Sequence, residues 1–69
     1  MFPFRRFLIH RRVVVNLMDG TAITGVMFTK AGPLLVVKDA TLLFEQAEPQ
    51  PLDGDVVVER SRVSYIQAV

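Results

Sequence analysis

Covalent and acid–base catalysis need a small set of residue types, and this chain holds few of them. His10 is its single histidine, and cysteine is missing altogether. The imidazole sits in sequence among Arg5, Arg6, Arg11 and Arg12, and surrounding cations weaken a histidine as a proton acceptor. Ser61 and Ser64 have no neighbouring histidine in the sequence to activate them. Asp53 and Asp55 flank Gly54, but one such pair falls well short of the roughly six or more oxygens calcium takes. Aspartate and glycine together are ordinary turn chemistry. The glycines at positions 20, 25, 32 and 54 are too far apart to form a phosphate-cradling loop. The expectation is a protein that is not an enzyme and carries no metal or cofactor.

What remains is cationic chemistry, and it is concentrated at one end. Residues 1–12 contain four arginines and no acid, a charge of +4, whereas residues 13–69 carry −3. Arg5, Arg6, Arg11 and Arg12 are therefore candidate contacts to nucleic acid or to an acidic protein, since such charges neutralise phosphates. Pro3 suits the first turn of a helix, and Phe4, Phe7 and Leu8 then form an apolar stripe at helical spacing. The same stripe allows a helix that covers an open end of the core, and the segment is short for a membrane-surface anchor. Residues 1–12 lack the uninterrupted apolar stretch and the cleavage site of a signal peptide, so a cytoplasmic or virion-associated location is expected. Lys30, Arg60 and Arg62 are further candidate contacts to nucleic acid or a partner, with a solvated surface as the alternative.

These groups have to be positioned by a very small body. The chain has 69 residues, 51% of them hydrophobic. No run approaches the roughly 20 apolar residues of a membrane span. A chain near 60 residues buries only about 60% of its unfolded surface. Without disulfides or a metal, association with copies of itself is a common remedy.

From Val13 onward the pattern is that of strands. Val13–Met18 is rich in β-branched residues and runs into Asp19-Gly20, a strong hairpin signal. The return strand is Ala22–Phe28, with Gly25 inside it marking a bend, a bulge or a close backbone approach. Ala31-Gly32-Pro33 is a turn. A long third strand follows, Leu34–Phe44. Glu45–Asp55 contains Pro49, Pro51 and Gly54 and reads as a loop. Val56–Glu59 is the fourth strand and Val63–Val69 the fifth, joined tightly through Arg60-Ser61-Arg62.

Five short strands, several apolar on both faces, close most naturally into a small, strongly bent barrel. Period-two alternation puts Val13, Val15 and Leu17 in the core, together with Ile23, Met27, Leu35, Val37 and Val63. Such a barrel rarely closes fully, so an edge with unpaired backbone groups remains. Val56, Val57 and Val58 on one strand, and Val63, Tyr65 and Ile66 on the other, are the candidate oligomer edges.

The residues that carry this reading resemble the Sm and Sm-like (LSm) family. Val13 to Ala40 is similar to the first Sm motif, through Val13, Val15 and Leu17, Asp19-Gly20, Gly25, Leu35-Val36-Val37 and Asp39-Ala40. Val57 to Ile66 is similar to the second, through Val63-Ser64-Tyr65-Ile66. The resemblance implies a mainly β, five-stranded SH3-like small barrel over residues 13–69, behind a short N-terminal helix or arm over residues 1–12. It also implies a homo-oligomeric ring of six or seven subunits, the fourth strand of one copy pairing with the fifth of the next. Family members that bind uridine-rich RNA carry an aspartate and an asparagine before the third strand. By position these fall on Lys30 and Leu34, and the family's arginine–glycine pair falls on Glu59-Arg60.

Two functions are expected from this pattern. One is a structural or assembly module contacting other structural proteins, as in the capsid or head of a phage; Met1–Arg6 and Val58–Val63 loosely resemble short virion-cluster proteins of tailed actinobacterial phages. The alternative is an Sm-like ring that binds RNA or DNA through its basic arm with little base specificity.

Overall fold

A computed structural model describes residues 8–69. The helix expected from Pro3, Phe4 and Phe7 falls mostly on residues 1–7, which lie outside the described residues, as do Arg5 and Arg6. Leu8 is buried in the core, so the arm contributes at least one side chain to the barrel.

Six strands follow in order: β1 (Arg12–Leu17), β2 (Ala22–Ala31), β3 (Leu34–Phe44), β4 (Ala47–Pro51), β5 (Val56–Glu59) and β6 (Val63–Ala68). A single 3-10 turn, Arg60–Arg62, joins β5 to β6. All pairings are antiparallel. The sheet runs β4-β3-β2-β1-β6, and β5 also lies on β3, further along it than β4.

The mainly β small barrel expected from the sequence is present, with one correction. Residues 47–51 are a strand and not part of a loop. Phe44 pairs with Ala47 and Thr41 with Pro51, so the chain turns back on β3 through Glu45-Gln46. After a break at residues 52–55 it continues on β3 as β5, from Val56 opposite Val37 to Glu59 opposite Leu34. β4 and β5 are thus two halves of one bent strand, which reconciles six observed segments with five expected ones. All five residues of β4 are exposed. It is held by its backbone, and prolines are tolerated because one side of the strand is an edge.

The sheet curls because β2 and β3 bend together. The β2–β3 register slips between Thr24 and Val26 and again between Met27 and Thr29. Gly25 occupies the first slip, where a Cβ would lie 2.7 Å from the Lys38 carbonyl oxygen and 2.7 Å from a Val37 methyl. Opposite, Asp39 takes a left-handed conformation at φ 51°. The two backbones close on each other there, which folds the sheet over its own inner face.

That face holds Val13, Val15, Ile23, Met27, Leu35, Val37, Ala40 and Val58, with Leu8 from the arm. Leu17 and Val63, expected inside, are half-buried and pack against this cluster from the rim. Each fully buried aliphatic side chain contributes about 1.5–3 kcal/mol. With so few of them, the closed hairpins matter. In the β1–β2 turn, the Asp19 carboxylate accepts from the Thr21 backbone N–H at 3.0 Å and from its hydroxyl at 2.6 Å. The Thr21 hydroxyl, then its amide, hold the Asp19 carboxyl below the ordinary aspartate value.

A carboxylate whose pKa is depressed by folding stabilises the fold above its unfolded pKa, and this is lost as pH falls through the folded value. Acid titration of Asp19→Asn should therefore show a flatter loss of stability than the parent on the acid side of the ordinary aspartate range. Indistinguishable acid limbs would remove this turn from the account.

Candidate nucleic-acid interface

The tip of the β2–β3 hairpin and the 3-10 turn come together at one end of the barrel. Lys30 pairs with Leu35 and Ala31 with Leu34, leaving Gly32-Pro33 as a two-residue turn. The Arg60 backbone N–H donates to the Pro33 carbonyl at 2.8 Å, and Glu59 lies opposite Leu34. Lys30, Leu34, Glu59 and Arg60 are thereby gathered in one region, although Lys30 and Arg60 are 30 positions apart in the sequence. Glu59 and Arg60 are exposed, Leu34 is partly so, and Lys30 is half-buried.

Arg62 serves another corner. Its carbonyl accepts from the Met18 N–H at 2.8 Å, and its side chain borders a small cleft of about 100 Å³ with Leu17, Met18 and Asp19. Arg60 and Arg62 therefore belong to different neighbourhoods, and Arg62 faces an acid that Arg60 does not. Arg11 and Arg12 lie where the arm joins β1, with Arg12 opposite Val26 and the Arg11 carbonyl accepting from the Met27 N–H at 2.9 Å.

The sheet has two edges, the bent strand formed by β4 and β5 on one side and β6 on the other. β5 is bonded to β3 and β6 to β1, and among the described residues no ladder joins β5 to β6. Antiparallel ladders alternate bonded and non-bonded pairs. The Arg60–Pro33 bond sets that alternation on β5: Val58 and Val56 bond to β3, while the backbone groups of Val57 and Glu59 point to the open side. On β6, the Val69 N–H donates to the Arg12 carbonyl at 3.0 Å. By the same alternation, the groups of Ile66 and Ala68 face outward.

Of the candidate edge side chains, Val57 and Tyr65 are 55% and 58% exposed. Val56, Val63 and Ile66 are half-buried against the core. Val58 is buried and belongs to the core, not the rim. An open groove of about 360 Å³ runs along β6, lined by Leu8, Leu35, Arg60, Val63, Tyr65 and Ile66, with Ser64.

One further feature lies on β2, at a residue displaced from the position where the family resemblance would put a base-stacking aromatic. Phe28 is 43% exposed, with the Lys38 ammonium 4.0 Å from its ring centroid and the His10 ring 6.2 Å away. The outward register of Phe28 and its cross-strand relation to Lys38 were available signals. The approach of His10 was not, because it depends on a left-handed residue (φ 64°) in the arm.

Among the described residues no three His, Cys, Asp or Glu side chains are placed to hold a metal ion. No helix there is long and apolar enough to cross a membrane. Asp53 and Asp55 fall in the break between β4 and β5, where Gly54 has φ 72°.

Searches of the sequence against protein-family models and against curated proteins return no match. Solved structures do match. The chain superposes on the SmAP1 heptamer of P. aerophilum with a TM-score of 0.81 and 25% identity, covering 93% of this chain and 85% of that one. A heptameric archaeal Sm protein, described with implications for the eukaryotic snRNP core, gives 0.80 and 25% over 93% of both chains. The SmAP (LSm) protein of Methanococcus vannielii shares the fold, with a TM-score of 0.72 and 20% identity over 97% of this chain and 99% of that one. The bent five-strand path, the Gly25 crossing and these whole-length superpositions show that the chain has the fold of Sm and Sm-like (LSm) proteins.

Proposed function

We propose that this chain is a non-enzymatic ring protein that binds single-stranded RNA with little base specificity. The observation that carries the reading is the pair of open edges. Val57 and Glu59 on β5, and Ile66 and Ala68 on β6, present rows of outward backbone groups at the two edges of one small barrel. Head-to-tail pairing of two different edges generates a closed ring when the rotation allows it. Two of the similar structures are heptamers over nearly the same length of chain. Ring closure would bury the exposed Val57 and Tyr65 and add the area a 69-residue domain lacks.

In a ring the hairpin tips with Lys30 and Arg60 repeat once per subunit, and the arms add Arg5, Arg6, Arg11 and Arg12. Leu34 has no polar group to read a base, and Glu59 opposes phosphate. Both favour backbone contact over base readout. The structural neighbours are heptameric Sm proteins, one described with implications for the snRNP core, which supports the nucleic-acid reading over the virion-assembly one.

The test is binding of an oligouridylate across a salt series, alongside native mass. Affinity should fall steeply with salt, with a log–log slope of about 0.7 per phosphate neutralised on a single strand. Replacing Arg5, Arg6, Arg11 and Arg12 together by alanine should shrink that slope by up to about 0.7 for each arginine and leave the oligomer mass unchanged. No retention of RNA at low salt would end the reading.

A further inference from the structure

We propose that Phe28, flanked by Lys38 and His10, is a stacking site for one base of the bound strand on the outer flank of the β2–β3 hairpin. The inference rests on the RNA-binding reading and adds a residue-level contact that the hairpin tip does not supply.

Three separate elements converge to make the site. β2 contributes Phe28 at the register slip between Met27 and Thr29. A bulge of this kind leaves a residue out of the ladder and re-aims its side chain. β3 contributes Lys38, which pairs across with Val26 and extends its ammonium to 4.0 Å from the ring centroid. The arm contributes His10 in a left-handed conformation, which a histidine adopts at a cost and holds here through two backbone bonds. The His10 N–H donates to the Met27 carbonyl at 2.6 Å, and the Met27 N–H returns a bond to Arg11 at 2.9 Å. The strain places the imidazole beside Phe28, tilted by 45° and not stacked on it.

A base needs a flat apolar face, and its phosphate needs a cation within side-chain reach. Phe28 offers the first with 43% of its surface exposed, and Lys38 offers the second. Every base has a π face, so such a platform binds strands with little regard to sequence. That fits a chain whose hairpin tip carries Leu34 in place of a polar reader. The region is also cationic at its border, where Arg11 and Arg12 lead into β1.

The chain contains no tryptophan, so Phe28→Trp creates a single reporter at the site. Titration with a twelve-nucleotide oligouridylate at low salt should quench its emission saturably. Polyphosphate, which has charge but no bases, should leave the emission unchanged. Phe28→Ala should bind the oligonucleotide about tenfold more weakly, within the range for losing one stacked base, at unaltered oligomer mass. Lys38→Gln should lower the salt slope by about 0.7. If the parent binds RNA while Phe28→Trp stays unquenched and Phe28→Ala binds equally well, this site is refuted and the RNA-binding reading stands. If the parent retains no RNA at all, both fall together.

Discussion

Gly25→Val should remove a large part of the chain's stability at 25 °C. The position is buried, and a Cβ there would meet the Lys38 carbonyl oxygen at 2.7 Å, a Val37 methyl at 2.7 Å and the Ala40 Cα at 3.1 Å. Two of those three contacts are backbone, so no rotamer change relieves them. Overpacking a well-packed core typically costs about 1–3 kcal/mol even where side chains can move. Here β2 must separate from β3 at the point where both bend, and we expect a loss of about 3 kcal/mol or more. A domain of this length has a total stability of roughly 3–10 kcal/mol. Gly20→Ala is the control. Gly20 has φ 92° but nothing within 4 Å of its Cβ position, so the cost should be about 1 kcal/mol, from backbone conformation alone. Urea unfolding of both variants checks the pair. A Gly25→Val protein as stable as Gly20→Ala would mean that the sheet does not bend by close approach at this crossing.

The same crossing shows why part of this fold could be read from the chain and part could not. Gly25 within a β-branched run signals a bend without saying which backbone comes close. That information lies on Val37, Lys38 and Ala40 of another strand. Val13, Val15, Ile23, Met27, Leu35 and Val37 were legible as core because period-two alternation is a local property. Val58 reads as an edge residue in the sequence because the apolar run Val56-Val57-Val58 gives no phase. The Arg60–Pro33 bond sets it, and the middle valine faces out. β4 carries no strand signal for a related reason. Ala47-Glu48-Pro49-Gln50-Pro51 has no apolar face to bury, and the turn at Glu45-Gln46 lacks glycine or asparagine. Its pairing follows from the chain having to return along β3. At the candidate site, the cationic residues were visible one by one. Their division into the Arg60 corner and the Arg62–Asp19 corner needed the folded turn.

Glu59→Pro should abolish the proposed ring and spare the barrel. Glu59 has φ −72° and ψ 129°, inside the range proline adopts, and its side chain is exposed. By the alternation set at Arg60–Pro33, its N–H points away from β3 toward the open edge. Proline at this position removes no bond within the subunit. Where native conformation already suits it, proline stabilises by about 0.4–1 kcal/mol through the unfolded chain. The isolated barrel should therefore melt no lower than the parent monomer. The edge is different. One of the two outward donors of β5 is gone, and the pyrrolidine ring stands where a neighbour's β6 has to approach. Edge strands elsewhere are blunted by this same device, and β4 already carries Pro49 and Pro51 in that role, which confines pairing to β5. Native mass should shift from a multimer to the 7.8 kDa chain. Glu59→Gln, which keeps the N–H, should still assemble and so separates loss of charge from loss of the donor. Val58→Pro should unfold the domain, since its N–H bonds β3 and its side chain fills the core. A Glu59→Pro protein that assembles like the parent would show that copies meet through some surface other than the β5 edge, and the ring reading would have to be abandoned.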